Sequence, residues 1–483
     1  MLSVSVFTLI LRNENIKYYV CFLVTCLAMQ SAFAQAEQLP VIYLTADTLS
    51  TDFSEGTFQL EDGTVMSADI RWRGATSLRY QKKSYGIKLK DAEGGKLNVS
   101  LLGMRSDNSW ILDAMTPDKA RMRNRVSTDL WLDFARKPYY YDKEPSLVNG
   151  THGKFVEVYL NNEYQGLYCL TEKIDRKQLK LKKHKDGLVR GVLYKLTGWN
   201  FMNLYNESDY VYDSSSAVWS GWEMKYPNMD EGEPTDWLPL INTIHWLNFY
   251  TPQTINDSLE LVVDMPMWVD YFLLLDLILG NDNAGKNMYT YFYDITQSDQ
   301  RIAVAPWDMD ATWGRDWRGK ESRANSETGL FHQLQYHFLY VRTDSATIYY
   351  PRYCELRNTY FTADSLKPYF QKYFDLFRTT GAAQRETERW SGLDGLELDF
   401  NAEEQYICQW IDDRLCYLDS VYGYMPPTPE SIVSIPPQRT DTHCGIYTMT
   451  GICVGKAITE AEIRAMCLPK GIYLWNGKKI HLK

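Results

Sequence analysis

The sequence predicts an α+β chain that is β-rich in its first half, helical in its second, and closed by a small β module. Three observations carry this. Short strand patterns separated by turn residues run from Val41 to about Lys195. From Trp237 the apolar spacing becomes helical, over Trp237–Phe249, Pro266–Leu279, Tyr349–Phe377 and Ala402–Val421. A proline-rich break, Met425–Thr440, then precedes two hairpin-like units.

At 483 residues the chain can bury at least one large core. Its 35 Tyr and 15 Trp suit positions packed at one end and polar at the other, and also suit stacking on carbohydrate, so they select no substrate. A formal charge of −10 argues against a general nucleic-acid binder. The locally basic run Lys177–Lys185 reads as a solvated hairpin tip.

In chain order, residues 1–34 read as a signal peptide. Asn13–Lys17 is a polar, basic approach, Tyr18–Met29 the apolar run, and Ala32-Phe33-Ala34 a small-x-small cleavage site. Export to the periplasm, the outer membrane surface or the medium is the expectation. Removal of that peptide leaves seven cysteines, an odd number with no C-x-x-C pair, and the histidines are scattered; a Cys or His metal site is not expected.

Residues 35–225 form the β-rich part. Val41–Leu44, Thr57–Leu60 and Ala68–Trp72 are short strands, followed by the turn Arg73-Gly74-Ala75-Thr76-Ser77. In the next strand, Lys82–Leu89, period-2 alternation puts Tyr85, Ile87 and Leu89 on one face and Lys88 on the other. Such a turn can bring the amides of Gly74 to Ser77 against phosphate while a strand lysine supplies charge. It also reads as a plain Gly-Ser hairpin with surface lysines. Pro117–Phe134 is an expected helix behind this sheet. Phe155–Leu160, Asn161-Asn162 and Tyr164–Leu170 form a hairpin signal ending near Glu172, and Gly191–Leu196 is a further strand.

Residues 226–424 hold the helices and the most chemically loaded stretch, Leu273–Asp310. An apolar helix stops at Gly280, a polar loop runs from Asn281 to Asn287, and strands Met288–Tyr293 and Arg301–Ala305 follow. The second strand ends in Pro306-Trp307-Asp308-Met309-Asp310. Asp282 and Asn287 bracket four residues, the D-x-x-x-x-N spacing of a phosphotransferase loop in which the Asp takes a hydroxyl proton and the Asn holds a metal. Asp308 or Asp310 would then be the main metal ligand. Two other readings stand beside it: a polar turn whose Asp and Asn satisfy backbone groups, and a glycosidase pair of Asp282 and Asp308. The basic run Arg315–Ser326 reads as a flexible surface loop.

Four ordered motifs together resemble the spore coat protein H (CotH) kinase-like family. They are Arg73-Gly74-x-x-Ser77 with Lys82-Lys83-Ser84-Tyr85; Val156–Asn161 with Tyr164–Tyr168 and Glu172; Gly280-Asn281-Asp282 with Lys286-Asn287; and Pro306–Asp310. Trp110-Ile111-Leu112 and Lys225-Tyr226-Pro227 are also similar to it. The resemblance covers about Pro40 to Tyr424 and implies an atypical two-lobed protein-kinase fold that moves phosphate from ATP to protein Ser/Thr hydroxyls with Mg²⁺ or Mn²⁺. It implies Asp282 as the catalytic aspartate, Asp308 as the metal aspartate, and Asp310 and Asn287 as supporting ligands. Lys83 or Lys88 would face the phosphates beside Arg73, Gly74 and Ser77. Glu172 would pair with such a lysine or line the nucleotide cleft, and Trp307 would pack on the nucleotide. The turn departs from the family in reading Gly-Ala-Thr-Ser where many members have a Gly-Asn-Ser-Ser type. A catalytically silent surface protein on the same fold is the alternative. Beyond the linker at 425–440, residues 441–483 resemble the sorting or attachment tails of exported Bacteroidetes proteins, which implies a cell-envelope or surface association.

Overall fold

The computed structural model describes residues 38–198, 204, 213, 215–327 and 345–425, and in the C-terminal segment 444–448, 453–457, 463–464, 468, 470–475 and 478–482. The expected signal peptide and the proline-rich stretch from 426 to 443 lie outside the described residues. The chain divides into two units, 1–424 and 425–483.

Alternating burial builds the first part of the larger unit. Its strands are β1 (Val41–Ala46), β2 (Ser54–Leu60), β3 (Val65–Arg73), β4 (Ser84–Lys90), the short β5 (Val99–Ser100) and β6 (Ser106–Asp107), β7 (Ser109–Asp113), β8 (Gly153–Leu160) and β9 (Glu163–Thr171). Seven of them close a barrel in the order β1-β2-β3-β4-β7-β9-β8, sealed by the parallel pairing of β8 with β1. Inward residues such as Ile42, Phe58, Ile70, Ile87, Leu112 and Val158 fill it as a core of its own. Closure removes the exposed sheet edges that an open arrangement would leave.

A second, antiparallel sheet follows, with strands β10 (Val192–Leu196), β11 (Val218–Trp219), β12 (Trp222–Tyr226), β13 (Met288–Phe292) and β14 (Ala303–Pro306) in the order β11-β12-β10-β13-β14. The helices are α1 (Arg123–Phe134), α2 (Leu238–Phe249), α3 (Pro252–Val262), α4 (Met265–Ile278), α5 (Ser345–Arg357), α6 (Ala363–Thr379), α7 (Ala382–Trp390) and α8 (Phe400–Tyr422). The α4 helix is buried on all faces over nearly its whole length, apolar except for Asp270, which pairs with Arg136 and Arg352, and Asp276, so it forms the axis of the larger core. Among the described residues no helix is long and apolar enough to cross a membrane.

Three expectations change. The helix predicted over Pro117–Phe134 begins only at Arg123, because the Asp118 carboxylate draws in the amides of Ala120, Met122 and Arg123 and Arg121 turns to φ +57°. As expected it lies behind the sheet, sharing the larger core with α6 and with the outward Phe155, Leu167 and Cys169 of β8 and β9. The single helix predicted over Tyr349–Phe377 is two, because Phe361 closes a turn onto Leu356 O and Thr362 caps a new start by accepting from Ser365 N. The Arg315–Ser326 run is not loose: Arg315 is buried against Glu403, Trp410 donates to Ser322 O at 2.9 Å, and Arg414 donates to Ala324 O and Ser326 O.

A buried ionic knot joins barrel and helices. Lys82 and Arg121 both reach Glu386 Oε1 on α7 at 2.7 Å, and Leu167 N donates to Glu386 Oε2 at 2.8 Å. Gly166, at φ +101°, leaves the room, since a Cβ there would lie 2.3 Å from Glu386 Oε2. The C-terminal unit is a four-stranded antiparallel sheet, β16-β15-β17-β18, formed by Cys444–Thr448 (β15), Cys453–Ala457 (β16), Gly471–Trp475 (β17) and Lys478–Leu482 (β18), around Ile446, Ile463, Tyr473 and Ile480. Among the described cysteines, Cys169, Cys354, Cys408 and Cys416 are free.

Removing the shared carboxylate leaves two buried cations unpaired, which costs about 3–5 kcal/mol. Glu386→Ala is therefore expected to lower the denaturation midpoint sharply, measured by urea titration. An unchanged midpoint would show that the knot carries no stability.

Candidate active site

The acidic loops are placed by the buried ends of α4, β13 and β14. The α4 helix terminates with Leu279 in the left-handed region, and Gly280 N closes onto Leu275 O. A short helical turn, Asn281–Asn283, then carries Asp282. Asn287 sits at φ +54° and Asp308 at φ +59°, conformations that Asn and Asp tolerate better than other side chains and that cluster at functional sites.

Asn283, which sequence reasoning passed over, fastens the two loops together. Its buried side-chain amide donates to Trp307 O at 2.7 Å and to Asn287 O at 3.2 Å. Asn287 N in turn donates to Leu196 O at 2.8 Å, which binds the loop to β10. The following segment is held as firmly. Arg123 donates to Thr312 O and pairs with both Asp118 and Glu403, and Met309 N donates to Asn124 Oδ1 at 3.1 Å.

This scaffold gathers like charges. Burial raises the Asp310 carboxyl well above its ordinary value, and Asp308, Asp113, Asp118 and Asp282 add repulsion. Asp308 is raised for the same first reason; Lys195 and Arg73 pull it back while Asp113 and Asp282 push it up. Asp308 lies deep among protein groups yet keeps surface open to water. Among the described residues, neither the Asp308 nor the Asp310 carboxylate accepts a hydrogen bond, so both have lone pairs to offer a cation. Asp282 is ion-paired with Lys286 at 2.9 Å. Among the described residues no three His, Cys, Asp or Glu side chains come together as a ready metal shell. A cation at Asp308 would have to complete its shell with Asn287, water and ligand oxygens, a mode usual for Mg²⁺.

Opposite stands a cationic wall. A cleft of about 720 Å³ is lined by Arg71, Arg73 and Lys88 from the barrel side and by Lys195, Tyr289 and Trp307 from the second sheet. Lys173 also lines it, its ammonium lowered to about 8 by burial and by Arg73, Arg71 and Lys88. Lys195 lies 5.6 Å from the Trp307 ring; burial lowers it, and Asp308 is the main group drawing it back up.

The expected residues thus fall into two groups. Asp282, Asn287, Asp308, Asp310, Trp307, Arg73 and Lys88 belong to this region. Gly74 belongs there too: at φ +123° it leaves room for Ser77, whose Oγ would lie 1.9 Å from any Cβ. The turn lies near the acids: the Tyr80 phenol at its end is raised first by burial and then by Asp310. Lys83 and Glu172 are turned elsewhere. The Lys83 ammonium donates to Leu78 O at 2.6 Å and to Tyr80 O, and Glu172 accepts from His152 N, Arg105 N and Gln178 Nε2 without meeting a strand lysine. Lys173 and Lys195 were missed as cleft residues, although Lys195 lies within the predicted strand Gly191–Leu196 and Lys173 just past the predicted hairpin.

The profile of the CotH kinase protein family matches residues 70–418. The inner spore coat protein H of Bacillus subtilis (strain 168) is a relative, 22% identical over 367 residues that cover 73% of this chain and 86% of the relative.

The state of Lys173 gives a pH prediction. An anion held there stabilises the protonated amine, so binding takes up a proton once the pH passes about 8. If a triphosphate is that anion, its affinity should be flat below that pH and fall about tenfold per unit just above it. Calorimetry of wild type and Lys173→Met tests this: the fall should vanish in the variant, and a pH-independent affinity in both would remove Lys173 from the anion site.

Proposed function

Because the chain belongs to the CotH kinase protein family, we propose that it is a protein kinase that transfers the γ-phosphate of ATP to Ser/Thr hydroxyls of a protein substrate, using Mg²⁺ or Mn²⁺. The observation that carries this reading is the meeting of two clusters: Asp308 and Asp310, with the Lys286-paired Asp282 beside them, adjoin the Arg73 and Lys195 end of a cleft whose walls also carry Lys88 and Lys173. A metal-bound triphosphate complements both at once.

Each group then has work suited to its place. Asp308 and Asn287 would hold the divalent cation, with Asp310 in support; when bound, it neutralises phosphate charge as that charge shifts. Arg73, Lys88, Lys173 and Lys195 orient the triphosphate, and the turn at Gly74–Ser77 brings backbone close to it. Asp282 accepts the proton of the acceptor hydroxyl, with Lys286 fixing its orientation. Trp307 forms an aromatic side of the cleft against Arg73 and Lys195.

Export and a surface address belong to the same reading. They rest on the leader-like pattern of residues 1–34 and on a relative named as a coat protein, with the C-terminal unit as the attachment part. That relative's name also supports a competing role as a structural surface component without catalysis.

Labelled ATP with Mn²⁺ or Mg²⁺ and a generic Ser/Thr acceptor separates the two. Wild type should transfer label, Asp308→Ala should fall to background, and Asp282→Asn should lose about 10²-fold or more. Lys195→Met should raise KM for ATP about tenfold, while Lys83→Met should change it by less than about twofold. Equal labelling by wild type and Asp308→Ala would contradict the kinase reading.

A further inference from the structure

The cleft carries more positive charge than its nucleotide needs. Along its walls Lys and Arg outnumber Asp and Glu by about two to one, in a chain of net charge −10. A triphosphate already neutralised by a divalent cation does not account for that excess. The surplus continues outward along the segment between β9 and β10, the basic run at Lys177–Lys185.

A run of lysines is ordinarily a solvated face, but this one is a fixed ribbon. Lys182 N donates to Tyr293 O at 3.1 Å, Ile295 N donates to Arg190 O at 2.7 Å, and Lys185 bridges Leu188 across Asp186 and Gly187, both at positive φ. Part of its charge is already matched: Lys182 pairs with Glu144 at 2.8 Å and His184 with Glu233 at 3.1 Å. Among the described residues Lys180, Lys183 and Lys185 make no ion pair. Lys183 lines both the cleft and an adjoining hollow of about 360 Å³, so these charges are continuous with the reaction site.

Resting on the kinase reading above, we propose that this ribbon is a docking surface for an acidic segment of the protein substrate, rich in Asp and Glu beside the acceptor hydroxyl. The hollow offers four lysines, Arg176, Leu181 and one carboxylate, Glu144, already paired with Lys182; it has no aromatic face on which a base could stack, which favours an acidic peptide over nucleic acid. Carboxylates on an extended peptide can pair with successive ammonium groups, and such pairs govern encounter and partner choice.

Fluorescence anisotropy without nucleotide tests the surface apart from the chemistry. The probes are a labelled Ser peptide flanked by Asp/Glu, its neutral and Lys/Arg-flanked counterparts, and a single-stranded oligonucleotide. The acidic peptide should bind at least about tenfold tighter than the others at low salt, and lose that advantage at high salt. Lys180→Glu combined with Lys185→Glu should abolish the preference while leaving the thermal midpoint unchanged. In a second step with labelled ATP and Mn²⁺ added, an acidic peptide that binds but receives no phosphate supports the docking surface and sinks the kinase reading instead. Equal binding of all peptides, tighter binding of the oligonucleotide, or an unaltered preference in the double variant would overturn the proposal.

Discussion

Carboxylates that repel one another stay together only in a frame stiff enough to bear the repulsion. In this protein the frame is the buried α4 helix, the ends of β13 and β14, and the Asn283 amide that ties the two acidic loops together. Every other feature of the site follows from that constraint. With the loops fixed, Asp308 and Asp310 stay near Asp282 and Asp113; burial first, and that repulsion second, raises both carboxyls. On the cationic side of the cleft, burial first and then Arg73, Arg71 and Lys88 lower Lys173.

Two buried networks extend the frame through the larger unit. Glu386 joins the barrel to α7 through Lys82 and Arg121, and Glu403 joins α8 to the segment after Asp310 through Arg123 and Arg315. The helices that close the chain are therefore part of what positions loops far earlier in sequence. Preorganisation of this kind keeps charged groups aimed, so that no reorganisation would be needed during the transfer proposed above.

Local chemistry made half of this site legible in the sequence. Asp282 and Asn287 share one loop and Asp308 ends a strand, so spacing and hydrophobic pattern were enough to single them out. The lysines were harder, because alternation along a strand says only that Lys88 faces away from Ile87, not what lies on that side. That depends on the closure of the barrel by β8 against β1 and on the approach of the second sheet, which brings the Trp307 ring within 5.9 Å of Arg73. Lys83 looked equivalent to Lys88 yet folds back on the carbonyls of its own turn. The break between α5 and α6 was similarly hidden, since Thr362 acts as a cap only once the chain turns at Phe361.

The account turns on one cation and one triphosphate bridging the two clusters. A crystal structure with Mn²⁺ and a non-hydrolysable ATP analogue, read by the anomalous signal of manganese, measures this directly. The account predicts manganese within coordination distance of Asp308 and Asn287, with phosphate oxygens against Lys88, Lys173 and Lys195. Manganese bound elsewhere, or a nucleotide whose phosphates point away from Asp308, would contradict it.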